Sequence, residues 1–195
     1  MLTVSTLDPE KSYHHGDLRA ALVAAALDLL EAGGEAALSL RAAARACGVS
    51  AMAPYRHFPG KDDLLEAVAA RGFEDLAAEL ETADSAASGS EALAAQGAAY
   101  VAFARRRPAL FRLMFMRPCR KPDASRAYGI LERRAAALAG PGMPAADLTL
   151  AAWSLVHGLA ALILDGRVPL EGEAAEAAAR RITLAFATRL NAKLS

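Results

Sequence analysis

The sequence contains few cysteines and few residues that favour strands. Only two cysteines occur in 195 residues, Cys47 and Cys119, and they do not have the spacing of a zinc site. Their scarcity fits a reduced, cytoplasmic compartment. β-Branched residues are sparse and never alternate with polar ones over the length of a strand, whereas Ala, Leu, Arg and Glu dominate. We therefore predict an all-α protein.

Motifs typical of catalytic sites are also missing. The chain has no nucleophile elbow, no glycine-rich loop that would bind phosphate and no HExxH motif. Its four histidines, His14, His15, His57 and His157, form no obvious metal-binding pair on one helix turn. We therefore expect no enzymatic activity, no cofactor and no metal site.

The sequence offers little that would place it in a membrane. Residues 1–10 lack the basic and apolar segments of a signal peptide. Leu148–Leu164 carries no formal charge, but its length is at the lower limit of the roughly 17–25 residues that a spanning helix needs. Asp147 and Asp165 flank it. We interpret it as a helix surrounded by protein and expect no membrane partner.

Acidic residues are absent from one stretch, although the net charge of the whole chain is zero. Between Ala36 and Lys61 there is no Asp or Glu. The basic residues of this stretch are Arg41, Arg45, Arg56 and Lys61. A surface that binds DNA needs such one-signed charge, because phosphate contacts supply most of the affinity that is independent of sequence. The alternative is a helical hairpin with an exposed basic face.

The same stretch has the pattern of two short helices joined by a tight turn. Ser39 is placed to cap the first helix, and Gly48 suits the left-handed conformation that ends it. The first helix has an apolar face formed by Leu40, Ala43, Ala44 and Cys47. Ser50 is then expected to cap a second helix, which carries Tyr55 and Phe58. This is the helix-turn-helix plan, in which the second helix enters the DNA major groove.

The residues around this turn resemble the TetR family of one-component transcriptional repressors. The likeness is specific over residues 13–69 and is carried by Gly16–Arg19, Ala44–Ser50 and Tyr55–Leu65. Tyr13-His14-His15-Gly16 and Trp153–Gly158, which contains a Trp and a His-Gly pair, are similar to the signature of one TetR subgroup.

The resemblance implies a homodimer that binds a palindromic operator and responds to a small molecule. We predict a DNA-binding domain over 13–60 and a helical ligand-binding and dimerisation domain over 61–195, with 61–82 as the connecting helix. Further helices are predicted over 91–107, 109–116, 124–138, 147–167 and 171–194. The last two are apolar on more than one side, so we expect them to form the dimer interface.

Several residues are candidates for contacts with DNA. They are Arg41, Ser50, Ala51, Met52, Ala53, Tyr55, Arg56, His57 and Lys61. Tyr55 and Lys61 resemble family residues that contact phosphate, although Tyr55 is otherwise a core aromatic with an exposed hydroxyl. Arg56 is either a bidentate ligand of guanine or a phosphate or solvent contact. The chain departs from the Lys, Gly and Thr often found in the family at Ala51–Ala53, so readout must depend more on thymine methyl groups and DNA shape.

A second group of residues is a candidate ligand pocket. It comprises Tyr100, Phe103, Phe111, Met114, Phe115, Trp153 and His157. Aromatic and Met-rich walls suit a largely apolar ligand, but the same residues would also make an ordinary core. Trp153 and His157 are four residues apart and so face the same space. His157 must be satisfied there by a protein partner or by a ligand.

We therefore expect a repressor that a small, largely apolar ligand releases from its operator, although activation in place of repression stays open. The alternative is a helical carrier protein that binds a small molecule and has no DNA function. A second acid-free run over 92–122 is either a solvated face or a basic surface for an anionic ligand or DNA phosphate.

Overall fold

A computed structural model describes residues 17–116, 124–140 and 142–192, and gives no side-chain description for 116, 124, 125 and 190–192. Tyr13–Gly16 and Cys119 therefore lie outside the described residues, as do Arg117, Arg120 and Lys121 of the second acid-free run. The elements are α1 Leu18–Ala37, α2 Leu40–Ala46, a 3₁₀ helix Ala53–Arg56, α3 Lys61–Ser85, α4 Gly89–Arg106, α5 Pro108–Met116, α6 Ala124–Leu138, α7 Ala145–Leu164 and α8 Gly172–Ala192. Among the described residues, the one piece of β structure is an isolated bridge between Gly140 and Met143. The prediction of an all-α fold is confirmed.

Helix α1 begins where the sequence predicts, but it does not stop at Gly33-Gly34 as the sequence also predicts. The Asp17 carboxylate accepts a hydrogen bond from the Ala20 N–H at 2.9 Å, which caps the first turn. Gly34 has a φ of 67°, so the regular helix is interrupted at the glycine pair even though helical turns continue to Ala37. Periodicity predicts an inward stripe of Leu18, Leu22, Ala25 and Leu29, but only Leu22 of these is buried. The buried residues are Leu22, Val23, Ala26 and Leu30, because nearly every position of this helix is apolar and periodicity alone cannot fix the face.

Helix α2 matches its prediction closely. The Ser39 hydroxyl accepts from the Ala42 N–H at 3.1 Å, and Gly48 takes a φ of 67° after the last turn. All four residues of the predicted apolar face are buried: Leu40, Ala43, Ala44 and Cys47.

The second helix of the motif differs from its prediction. It is only a four-residue 3₁₀ turn with Met52 at its N-cap, and no side chain caps it, so the expected cap by Ser50 is wrong. The cause is Pro54, which has no N–H to donate to the Ser50 carbonyl four residues earlier. That carbonyl instead accepts from the Ala53 N–H at 3.0 Å, in the tighter i to i+3 pattern.

Helix α3 joins the first three elements to the rest of the chain. The Asp63 carboxylate accepts from the Gly60 N–H at 2.9 Å and lies in the first turn, where the helix dipole favours negative charge. The helix ends at Ser85, three residues beyond the predicted 82. It packs against α1 on one side and against α4, α5 and α6 along its length. One buried apolar cluster runs from Leu22 of α1 to Ala179 of α8, and the domain boundary at residue 60 stays a prediction.

Helix α4 lies at the centre of the C-terminal half, where it contacts α3, α6, α7 and α8. Helix α7 is long and apolar enough to cross a membrane by length and composition. Within one chain it buries the row Leu148, Ala152, Val156 and Ala160. The opposite row leaves Leu150 55% exposed and Leu162 48% exposed. The expectation that protein surrounds this helix is therefore not met within a single chain.

Candidate DNA-binding surface and ligand cavity

Eight of the nine predicted DNA contacts are exposed on the surface of the motif. Arg41, on α2, and Lys61, at the start of α3, are both exposed. On the 3₁₀ turn and the residues just before it, Met52 is 70% exposed and Tyr55 42% exposed. Ser50, Ala51, Arg56 and His57 are also exposed, while Ala53 is half-buried. Tyr55 is thus a surface residue rather than a core aromatic, and Phe58 is the aromatic that fills the interior of the motif.

Three of the four basic residues between Ala36 and Lys61 have no bonded side-chain partner among the described residues. Among the described residues, Arg41, Arg45 and Arg56 have neither an ion-pair partner nor a side-chain hydrogen bond. Lys61 donates to the Glu35 backbone carbonyl at 2.9 Å and so holds the end of α1 against α3. Arg19 lies over the Phe58 ring, 5.2 Å from its centroid.

The arginines of the second acid-free run behave differently. Arg107 pairs with Asp75 at 2.7 Å, and Arg106 pairs with Glu79, both acids on α3. Two other arginines of this run pair at longer distances: Arg105 lies 3.8 Å from Glu176, and Arg112 lies 3.6 Å from Asp165. These side chains connect helices at a solvated surface, and their charges are already paired with acidic residues of the protein.

A cavity of about 290 Å³ lies between α3, α4, α5, α6, α7 and α8. Its size is near the lower end of the range for small-molecule sites. None of the described residues that line it is charged, and most are apolar or aromatic. The lining consists of Phe73, Leu76, Leu80, Leu93, Gln96, Gly97, Tyr100, Phe115, Ala127, Tyr128, Leu131, Ala152, Trp153, Val156 and Thr183.

One wall of the cavity contains a hydrogen-bonded aromatic group. The Trp153 Nε1–H lies 3.4 Å from the Tyr100 hydroxyl, and this hydroxyl lies 2.8 Å from His157 Nδ1. An indole only donates, so the Tyr100 oxygen accepts from Trp153, while the tautomer of His157 sets which partner donates in the Tyr100–His157 bond. Burial lowers the pKa of His157 and raises that of Tyr100, so both are neutral near pH 7. The polar demand of His157 is therefore met by a protein partner.

Another part of the cavity wall contains polar atoms of α4 and α8. The Gln96 Nε2–H donates to Asp84 Oδ1 at 2.7 Å. Asp84 in turn accepts two bonds from Arg134, at 2.7 and 2.9 Å, and this guanidinium and the Gln96 amide lower the pKa of the carboxyl group. Within the described residues, Gln96 Oε1 and Thr183 Oγ1 are buried and have no hydrogen-bond partner.

Two family sequence models match the chain. One, described as bacterial regulatory proteins of the tetR family, matches residues 22–68, and the other, described as a tetracyclin repressor-like C-terminal domain, matches residues 93–186. The first contains the helix-turn-helix motif and the second contains much of the cavity wall. The chain belongs to the TetR family of transcriptional regulators. This is a family of regulators rather than of enzymes.

Solved structures of similar proteins agree with this assignment. A protein of unknown function from Rhodococcus sp. RHA1 is 34% identical over 90% of this chain and 97% of its own, with a TM-score of 0.73. A tetR-family regulatory protein from Rhodococcus RHA1 is 24% identical over 87% of this chain and 94% of its own, with a TM-score of 0.61. A TetR variant from Acinetobacter baumannii AYE, solved in complex with minocycline, is 21% identical over 91% of this chain and 98% of its own. Its TM-score of 0.64 shows a shared fold. None of the curated proteins matches this sequence.

The structure divides the predicted ligand residues into two groups. Tyr100, Phe115 and Trp153 line the cavity. Phe103, Phe111 and Met114 are buried beside it in the apolar cluster, and His157 lies behind Tyr100, with its ring 4.8 Å from that of Phe115. These four are not among the residues that the structure places on the wall.

Sequence reasoning missed the polar lining and the contribution of α3 and α6. The missed residues include Phe73, Gln96, Tyr128, Leu131 and Thr183. The sequence contained a signal for one of them. Gln96 carries the one side-chain amide of α4 and is surrounded there by small and apolar residues. A buried amide on an apolar helix needs a partner, just as His157 does.

Lys61 tests the phosphate-binding role of the surface. Lys61→Ala should weaken binding to specific and random DNA alike and reduce the log–log salt slope by about 0.9 for each phosphate that the variant no longer binds. Its bond to Glu35 is exposed, so stability should change little. The control is Arg126→Ala on α6, an exposed arginine paired with Glu74. Unchanged DNA affinity and slope in Lys61→Ala, measured by titration at several salt concentrations, would show that the residue does not bind phosphate.

Proposed function

We propose that the protein is a cytoplasmic, homodimeric repressor that a small, largely apolar molecule releases from a palindromic operator. The observation that carries this proposal is the course of α3. Lys61 begins this helix at the basic surface, and Phe73, Leu76 and Leu80 of the same helix line the cavity. A ligand that favours one position of these side chains therefore acts on the rigid element that holds the DNA-binding motif.

The outward face of α7 supports the dimer. Leu150, Ser154, Gly158 and Leu162 are spaced four residues apart, opposite the buried row. A Cβ built on Gly158 meets nothing within 4 Å, so the middle of this row is open to a close neighbour. On α8, Ile182 is also exposed. Two apolar leucines on either side of small residues suit a second helix crossing there, and a two-fold axis would supply it from another copy.

The alternative of a carrier protein accounts for the cavity alone. It gives no reason for the unpaired arginines Arg41, Arg45 and Arg56, in a chain whose other acid-free run has paired arginines wherever it is described. The match of residues 22–68 to a family of regulators also favours DNA binding.

A gel shift on DNA from upstream of the protein's own gene tests the proposal. We expect a specific, salt-sensitive complex in which half-site centres lie about one DNA turn, ~34–36 Å, or a multiple apart. The complex is then titrated with a panel of small apolar compounds, and at least one should release the DNA. If the protein bound no sequence in this region specifically, the repressor function would be contradicted and the carrier function would remain.

Trp153→Ala tests whether the cavity is the ligand site. Trp153 borders the cavity and is only partly buried, so the variant should stay folded, bind operator and lose its response to a compound that releases the wild-type protein. A residue of solid core would instead cost ~3–5 kcal/mol of stability. Thermal melting and operator release are measured on one sample. A large loss of melting temperature together with an intact ligand response would show that Trp153 is a core residue and not part of the ligand site.

A further inference from the structure

The buried polar atoms of the cavity specify more about its ligand than its shape does. Gln96 is 3% exposed and Thr183 is 1% exposed, and both line the cavity. A buried polar atom without a partner costs free energy, so natural proteins keep few of them. Gln96 Oε1 and Thr183 Oγ1 are the two buried side-chain atoms in this condition among the described residues.

The orientation of the Gln96 amide follows from its partner. Asp84 is a carboxylate held by Arg134, so it can only accept hydrogen bonds. The Gln96 Nε2 group must therefore face Asp84, and Oε1 must be the amide atom left without a partner. Oε1 is an acceptor, so the missing group at this point has to donate a hydrogen.

Thr183 has turned its hydroxyl away from its own helix. The other described threonines all lie in helices, and each donates to the carbonyl four residues earlier: Thr82 to Ala78, Thr149 to Ala145 and Thr188 to Leu184. Thr183 makes no such bond. Its Oγ1 instead lies only 2.6 Å from where a Cβ of Gly97 would be, which is possible because Gly97 has no side chain. The hydroxyl is thus held against α4, next to the residue that carries the unpaired amide oxygen.

Two further wall residues carry hydroxyl groups: Tyr128, whose side chain is only half-buried, and Tyr100, which is hydrogen-bonded within the protein. The Tyr100 hydroxyl accepts from Trp153 and shares a second hydrogen bond with His157 Nδ1. No charged side chain lines the cavity in the part of the chain that the structure describes, and a buried charge without a partner is strongly disfavoured. The ligand that matches this cavity is therefore neutral.

We propose that the cavity binds a neutral, largely apolar ligand through a hydroxyl group, which donates to Gln96 Oε1 and accepts from Thr183 Oγ1. A hydroxyl has one hydrogen and two lone pairs, so it carries both the donor that Gln96 Oε1 lacks and an acceptor for the Thr183 hydroxyl. An ether or ketone accepts only and leaves Gln96 Oε1 unpaired. The inference rests on the proposed ligand-responsive function and names the chemistry of its ligand.

Trp153 allows the proposal to be tested directly, because it is the single tryptophan of the chain and borders the cavity. The probes are heptanol and hexyl methyl ether, which have equal numbers of non-hydrogen atoms and differ in the hydroxyl donor. From the shift of tryptophan fluorescence, we expect wild-type protein to bind heptanol at least about tenfold more tightly, which is about 1.4 kcal/mol. Equal affinities, or no shift with either compound, would overturn the proposal.

Two variants assign the selectivity to the named atoms. Gln96→Met and Thr183→Val should each lower the affinity for heptanol towards that for the ether and leave the ether nearly unchanged. The melting temperature of ligand-free Thr183→Val should not fall, because the variant removes a hydroxyl that has no partner. The control Leu131→Met changes an apolar wall residue at nearly constant volume and should affect both probes alike. Variants that weaken both probes equally would refute the assignment to these two atoms.

Operator binding, measured on the same samples, separates this inference from the proposed function. Selective alcohol binding without specific DNA binding would refute the repressor function but support the proposed hydroxyl-containing ligand. Specific DNA binding with no preference for the alcohol would keep the repressor and refute the hydroxyl ligand.

Discussion

Replacing both Leu150 and Leu162 with aspartate should separate the protein into monomers and weaken operator binding by about 10²–10⁴-fold, because the two half-sites would then be bound independently. Both leucines are about half exposed on the outward face of α7. In a dimer, each copy would then bury two carboxylates at the interface, facing the carboxylates of the other copy. This burial of like charges opposes association. Light scattering gives the mass, and titration at several salt concentrations gives the affinity, whose salt slope should fall by about half.

The control for this experiment adds the same charge elsewhere. Ala136→Asp with Ala137→Asp places two acids on exposed positions of α6, outside both α7 and the DNA-binding motif. This variant should stay dimeric and bind operator normally. If the Leu150 and Leu162 variant retained a dimeric mass and full affinity, the interface would have to lie on another face.

Phe58→Ala should cost about 3–5 kcal/mol of stability and lower the melting temperature by about 6–20 °C. Phe58 is almost wholly buried inside the DNA-binding motif, where its backbone N–H donates to the Pro54 carbonyl at 2.9 Å and Arg19 lies over its ring. The surrounding buried residues are aliphatic side chains packed in the same cluster, and they can fill the space left by the ring only in part. Thermal and denaturant melts measure the loss.

Tyr55→Ala is the matched control for Phe58→Ala. The two aromatics lie three residues apart, but Tyr55 is 42% exposed while Phe58 is buried. Tyr55→Ala should leave the melting temperature nearly unchanged and weaken DNA binding at low salt. Similar losses of stability in the two variants would mean that the ring of Tyr55 is also part of the core.

The first helices show how far local sequence signals reach. Ser39, Gly48 and Asp17 act through bonds to residues within one turn, so the caps and the turn of α1 and α2 follow from the sequence. The 3₁₀ form of the next element was missed although Pro54 is visible in the sequence. Pro54 lies four residues after Ser50 and lacks the N–H that the Ser50 carbonyl would accept in a normal helix, so a local signal for the tightened turn was present.

The cavity could be predicted only in part. The aromatic segment of α5 and the Trp153 and His157 pair indicated its region, because residues four apart on a helix share a face. Which aromatic residues line the space and which fill the core was not predictable, since that depends on the approach of α3 and α6. Phe111 and Phe115 both lie on α5 with their rings 4.8 Å apart, yet only Phe115 lines the cavity.

The sequence alone determined the helical fold class, the helix-turn-helix plan, the basic surface and the family resemblance. All of these arise from periodicity, capping and charge within short stretches of chain. Only the tertiary structure decided that the arginines of the second basic run are paired, that Tyr100 satisfies His157, and that Gln96 and Thr183 leave two unpaired polar atoms in the wall of an apolar cavity. These facts depend on residues far apart in sequence, whose distances are set by packing between helices and not by any local signal.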